Sequence, residues 1–215
     1  MREIAENVWH LPLMGRDAVN AYVLGDVLVD AGMAFQGKKI PEKLGGHAIA
    51  AHTLTHAHPD HVGGSKNVVD ALGVPFWAPA GDAAAVEAGQ AVPKETALKK
   101  VVALGSKFAP VPVARRLNEG DEVAGFTVLD TPGHSPGHIA FWRESDRTLI
   151  CGDVWFHLNF LTLKPQLRPP FSLPTVDPER NRQSMQRLAD LRPETVGFGH
   201  GPVMTGAADK LRVLP

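Results

Sequence analysis

Residues 4–13 and 18–30 alternate apolar and polar side chains or run through short stretches of Val, Leu and Tyr, with Gly25 and Asp26 marking a turn inside the second. A period of two puts successive side chains on opposite faces of an extended chain, so this beginning predicts a β-meander. It ends at Leu-Val-Asp-Ala-Gly, residues 28–32, where a strand delivers Asp30 to a glycine turn. Residues 37–45 predict a short helix, and 48–54 a buried strand that runs directly into a histidine-rich loop. Gly63 and Gly64 permit close chain approach and open a helix through about residue 72. A strand at 74–78 and an alanine-rich helix at 81–88, closed by Gly89, follow. A looser helical pattern covers 94–104. Residues 111–117 and 125–130 read as strands around the Asn-Glu-Gly-Asp turn at 118–121, and 139–142, 148–151 and 195–198 as further strands. Asp177 followed by Pro178 opens a helix as cap and first-turn proline, with Met185, Leu188 and Leu191 on its apolar side. A short helix over 206–214 closes the chain. Two halves of strands and helices, before and after about residue 110, predict helices on both faces of a β-sandwich.

Residues 154–176 fit neither period. They hold Trp155, Phe156, Phe160 and Phe171 with Leu158, Leu161, Leu163, Leu167 and Leu173, too apolar for a solvent loop, and prolines that regular structure does not tolerate.

A chain of 215 residues that is 44% hydrophobic can bury a sizeable core, and one domain over residues 1–215 is expected. Lys plus Arg number 22 against 23 for Asp plus Glu, with no run of like charge. The electrostatic footprint of a nucleic-acid binder is therefore missing, and a small-molecule substrate is the expected partner. The single Cys151 cannot form an intramolecular disulfide, and the first residues lack the apolar core of a signal peptide. A cytoplasmic location follows. No apolar run approaches the roughly 20 residues that cross a bilayer, which predicts a soluble protein with no membrane partner. The oligomeric state stays open.

The chemistry concentrates in residues 55–64, Thr-His-Ala-His-Pro-Asp-His-Val-Gly-Gly, where His56, His58, Asp60 and His61 put four metal-ligand side chains within six residues. Imidazole and carboxylate suit zinc and similar divalent ions, and gathering them is costly unless a cation neutralises and orients them. His56 and His58, two apart, point to one side of an extended chain, while a turn at Pro59 swings Asp60 and His61 beside them. Two neighbouring metal positions are the natural result.

His-x-His-x-Asp-His followed by Gly-Gly resembles the signature of the metallo-β-lactamase-fold hydrolases. The resemblance extends to Thr-Pro-Gly-His-Ser-Pro-Gly-His at 131–138, where His134 matches a third histidine ligand, to Cys-Gly-Asp at 151–153, where Asp153 matches the bridging aspartate, and to Gly-His-Gly at 199–201, where His200 matches the last ligand. It implies a four-layer αββα sandwich, and two divalent ions, zinc foremost with iron or manganese as alternatives. In that family pattern His56, His58 and His134 hold one ion, Asp60, His61 and His200 the other, and Asp153 bridges them; Asp60 and Asp153 are the acidic residues of catalysis. A bridging hydroxide then cleaves an ester, thioester or lactone, and no serine triad is needed. By the same resemblance Asp30 stands behind the ligand loop and holds a ligand histidine, and His138 is structural.

Within the family, the 131–138 motif is similar to that of glyoxalase II, and the intact bridging aspartate looks like the lactonases, whereas true β-lactamases usually lack it. The chain departs from glyoxalase II in ending soon after His200, and from the lactonases in having no tyrosine after Asp153, since Tyr22 is the only one. A mononuclear iron oxygenase of the persulfide dioxygenase type is the alternative from another class; it carries a Gly-Cys-Gly-Arg-like stretch where this chain has Val-Trp-Phe-His-Leu at 154–158. A metal-stabilised binding protein is the third.

Cys151 reads as a small residue packed in a strand. His10, His47 and His52 read as surface or packed-strand residues, and His157, four residues past Asp153, as a candidate substrate contact. Residues 154–176 are expected to fold across the metal centre as an apolar wall, with Lys164 and Arg168 at its rim as partners for a carboxylate.

Overall fold

The computed structural model describes residues 1–91 and 106–211. The meander forms as β1 (Arg2–Ala5), β2 (Val8–Pro12), β3 (Asn20–Leu24) and β4 (Val27–Val29), each antiparallel to the next, and β5 (Ala51–Thr53) adds parallel to β4. The expected strand over 4–13 is broken into a hairpin because Asn7 takes φ 56°, a left-handed turn that asparagine tolerates. The parallel pair β6 (Trp77–Pro79) and β7 (Arg115–Leu117) continues this sheet through a bridge between His52 and Phe76.

The second sheet contains β8 (Glu122–Val123), β9 (Phe126–Asp130), β10 (Ile139–Arg143), β11 (Thr148–Ile150), β12 (Thr195–Gly197) and β13 (Met204–Thr205), in the order β13-β12-β11-β10-β9-β8. All its pairs are antiparallel except β11 with β12. The strands flanking the 118–121 turn therefore belong to different sheets, and the chain changes sheet at that turn rather than near residue 110.

Alternation along each strand sorts the side chains into layers. Tyr22 and Leu24 of β3 meet Phe126, Val128, Ile139, Phe141 and Ile150 of the second sheet in the core between the sheets. Burying Phe126 and Phe141 completely contributes roughly 1.5–3 kcal/mol each. Ala21, Val23 and Leu28 face the other way, against Ile40 and Leu44 of helix α2 (Ile40–Leu44) and Val68 of α4 (Ser65–Leu72), with the one-turn helices α1 (Ala34–Gly37) and α3 (Pro59–Val62) packed alongside. The single helix expected over 37–45 is thus two short ones, and the helix after Gly64 is preceded by the one-turn α3. Helix α5 (Ala83–Ala88) packs beside β6. On the far face of the second sheet, Ala140, Trp142 and Leu149 meet Met185 and Leu188 of α6 (Pro178–Asp190). As predicted, α6 begins at Asp177, whose Oδ1 accepts from the Arg180 backbone N at 3.0 Å. The result is a four-layer αββα sandwich.

The helical pattern over 94–104 lies outside the described residues, as does the end of the one over 206–214, of which residues 208–210 form a turn. Residues 154–176 are more ordered than expected: Phe156 pairs with Arg168 and Asn159 with Lys164, making a short hairpin. Among the described residues no helix is long and apolar enough to cross a membrane.

Candidate metal centre

The candidate ligand residues all follow strand ends. Beyond β5 the chain stays extended through His58 (φ −85°, ψ 149°), and Pro59 then starts the single turn of α3, which redirects Asp60 and His61. His134 follows β9, Asp153 follows β11 and His200 follows β12. These three strands run in one direction, so their carboxyl ends open on one edge of the sheet, the place where α/β architectures expose groups to ligand.

All seven sequence-selected side chains converge. One ligand atom each from His56, His58 and His134 lies within 4.8 Å of the others, and the same holds for Asp60, His61 and His200, and for His56, His61 and Asp153. His58 Nδ1 is 2.9 Å from His134 Nε2. Asp153 lies between the sets: its Oδ2 is 3.2 Å from both His134 Nε2 and His200 Nε2, and its Oδ1 is 3.3 Å from His61 Nε2. Asp60 Oδ2 is 3.3 Å from His200 Nε2.

The donor set fits divalent cations on two counts. First, His56 Nε2, His61 Nε2 and Asp153 Oδ1 are buried and, among the described residues, find no hydrogen-bond partner. Orphaned polar atoms this deep are rare and costly unless something binds them. Second, the field at the centre calls for positive charge. Burial works against a charge on Asp153, but His200 and His61 overcome it and hold the carboxyl well below its usual range. Burial likewise disfavours the charged form of His200, yet Asp153 and then Asp60 push its pKa up to about 10. At Asp60 burial acts to raise the pKa, but the His200 hydrogen bond outweighs it and the carboxyl is held low; with 37% of the side chain exposed, the contact counts for more than the burial. His58, by contrast, is pushed down to about 3 by burial and by His134, which leaves its ring neutral and able to ligate.

Neighbouring groups aim each donor. Asp30, at φ 63°, accepts from the Thr55 backbone N at 2.8 Å through Oδ1 and from His61 Nδ1 at 2.9 Å through Oδ2, so His61 presents Nε2 to the centre. His200 Nδ1 donates to the Ala18 carbonyl at 2.6 Å. His134 Nδ1 meets the Thr175 hydroxyl at 3.0 Å. His138 takes no place among the donors: its Nε2 accepts from the Asp153 backbone N at 3.0 Å, and its Nδ1 then donates to Thr131 at 2.7 Å. Asn20 donates to the carbonyls of Phe198 and Gly201, pinning the loop around His200, while its oxygen meets His10 Nε2 at 2.8 Å. Thr175 and Asn20 carried no signal in the sequence, because both act across more than forty residues of chain. Gly199 is required for space: a Cβ there would fall 2.1 Å from Asp153 Oδ1.

The 154–176 hairpin divides its apolar residues between two tasks. Val154, Trp155 and Leu158 are buried, the first two in the outer core of the second sheet. Phe156 and Phe160 stand over the centre, 4.6 and 5.5 Å from the His200 ring, and Phe171 closes on both at 5.7 and 5.3 Å. Leu161, Leu163 and Leu173 are exposed. Arg168 lies over the Phe171 ring at 4.4 Å, while Lys164 is exposed on the outer turn. His157 does not face the centre; its Nδ1 donates to the Pro202 carbonyl at 2.7 Å. Cys151 is buried, and burial pushes its thiol far up, so it is no nucleophile. His10 and His52 are buried strand residues, and His47 bonds the Gly25 carbonyl.

Comparison with known proteins bears on the whole chain. Residues 14–200 match the family model of the metallo-beta-lactamase superfamily. The chain is 30% identical over 202 residues to a probable metallo-hydrolase, YflN, of Bacillus subtilis (strain 168), covering 84% of this chain and 76% of the relative. It is 33% identical over 153 residues to a hydroxyacylglutathione hydrolase of Bdellovibrio bacteriovorus, covering 69% of this chain and 47% of that enzyme. Among solved structures, TTHA1623 in a di-iron-bound form superposes with a TM-score of 0.70 at 32% identity, over 96% of this chain and 98% of that one. With this fold, this donor set and a family match over most of its length, the chain belongs to the metallo-beta-lactamase superfamily.

Proposed function

We propose that the protein is a hydrolase holding two divalent cations, zinc foremost, that cleaves an ester, thioester or lactone with an apolar acyl part. The observation that carries this reading is the position of Asp153, whose two oxygens lie within 3.3 Å of histidines from both three-donor sets. His56, His58 and His134 would hold one cation and Asp60, His61 and His200 the other, with Asp153 shared. Bound there, the cations supply Lewis acidity: they polarise a carbonyl and lower the pKa of water from 15.7 toward about 7. Asp30 and Thr175 keep His61 and His134 in place. Phe156, Phe160 and Phe171 exclude water on one side and offer an apolar seat to the acyl group. Asp60, with 37% of its side chain exposed against 2% for Asp153, is the acidic residue that an incoming substrate would meet first.

The resemblance to a hydroxyacylglutathione hydrolase supports a thioester as one substrate form. The di-iron form of TTHA1623 supports iron as the competing metal. Elemental analysis of protein purified without added metal should find about two ions per chain. Specificity constants should be higher for acyl lactones or acyl thioesters than for an aryl phosphodiester. Faster phosphodiester cleavage would sink the substrate assignment, and one iron per chain with oxygen uptake on a persulfide would replace the hydrolase with the oxygenase.

A further inference from the structure

Asp82 lies just before α5, at the position where an aspartate ordinarily caps the helix, yet its side chain makes no capping hydrogen bond. The carboxylate is turned instead toward the two loops that carry the three-histidine set, and the residue is only 1% exposed. Its Oδ2 accepts from the Ala57 backbone N at 2.9 Å and from the Ser135 hydroxyl at 2.7 Å, and its Oδ1 accepts from the Gly137 backbone N at 2.7 Å. Ala57 is the residue between His56 and His58. Ser135 directly follows His134.

One carboxylate thus ties together backbone whose histidines are 76 residues apart in the chain and 2.9 Å apart in space. Glycines bring the pieces close enough. A Cβ on Gly137 would fall 2.3 Å from the Asp82 backbone N, and one on Gly81 would fall 2.7 Å from the Gly137 Cα. A buried carboxylate accepting several N–H and O–H bonds makes strong, short, direction-setting contacts. With both oxygens so engaged, Asp82 is not itself among the convergent donor atoms.

We propose that Asp82 is the positioning residue of the His56, His58 and His134 set: it sets the separation of the two loops and so the geometry offered to one cation. This rests on the metal-centre reading above. The test loads metal-free protein with Co(II), whose visible absorption reports ligand geometry, and measures each bound equivalent by chelator competition. His134→Ala identifies the equivalent that belongs to the three-histidine set.

In Asp82→Asn an NH₂ replaces one acceptor and faces a donor. The identified equivalent should bind about 10–100-fold more weakly, as is typical when a group behind a metal ligand is lost, with a changed Co(II) spectrum. The other equivalent should be unaffected. Ser135→Ala removes one of the three bonds without altering charge and should weaken the same equivalent by a smaller factor. Unchanged affinities and spectra in both variants, whatever happens to Tm, overturn the proposal. Should Asp82→Asn fail to fold, Ser135→Ala decides alone by the same criterion. Wild-type protein that takes up no Co(II) would overturn the metal-centre reading itself, so the two failures are distinct.

Discussion

At the residue scale, the centre tolerates very little displacement. Gly199 packs so closely on Asp153 and His61 that Gly199→Ala must displace the Asp153 carboxylate or the His61 ring from its present position. Misplacement of about 1 Å can cost about 100-fold in rate. Turnover should fall by about that factor, with reduced metal content, as measured by steady-state kinetics and elemental analysis; wild-type values for both would show that Asp153 does not span the two sets. His52 makes a prediction away from the centre. Its Nδ1 donates to the Leu28 carbonyl at 3.0 Å and its Nε2 accepts from Ser65 at 2.8 Å, so the buried ring is neutral. Burial lowers its pKa from 6.5 to about 4. The unfolded chain therefore binds the proton first as pH falls, and stability is lost between about pH 6.5 and 4, on the order of 3 kcal/mol at the lower end. The stability advantage of wild type over His52→Gln in urea unfolding should shrink from pH 7 to pH 4.5. A constant difference would refute the assignment.

At the element scale, the hairpin carries the substrate prediction. Its backbone bonds between Phe156 and Arg168 hold the turn that places Phe160 beside His200 and Phe171. Removing the Phe160 ring takes away apolar contact area but no metal donor. Phe160→Ala should lower kcat/KM for a long-acyl substrate by about tenfold, at least about half the value of one fully buried aromatic. It should act mainly through KM, with two metals still bound. An equal effect on short and long acyl chains would show that the hairpin serves packing alone.

At the scale of the molecule, the candidate ligands join the two halves of the sandwich, since the His56 loop follows the first sheet and His134, Asp153 and His200 follow the second. Each cation bound there adds stability in proportion to ln(1 + [L]/Kd), about 2.7 kcal/mol at a hundredfold excess over Kd. For a chain of this size that is roughly 5–10 °C in Tm per cation, so about 10–20 °C for two. Calorimetry after chelation should show that fall and a return on adding Zn(II). One cooperative transition is expected of a single domain over residues 1–215, and two separate transitions would divide it.

The candidate donor set was legible in the sequence because it is local: four donors within six residues, and His134, Asp153 and His200 each in a short glycine-bearing motif. Most strands were legible from alternation or short apolar runs, though not the two-residue β8 and β13, and α6 from its Asp-Pro start, since these follow from backbone geometry that neighbouring residues dictate. Hydrophobic periodicity cannot say which strand pairs with which, so only the structure placed the two sides of the 118–121 turn in different sheets. It also decided the hairpin in 154–176, where cross-strand bonds organise a segment without a sequence period. Of the groups that aim the donors, Asp30 came only through the family resemblance, and the others belong to the same class. Asp82, Thr175 and Asn20 act across 25 to 181 residues of chain, and a contact of that kind has no trace in the sequence because only the packing of distant segments creates it.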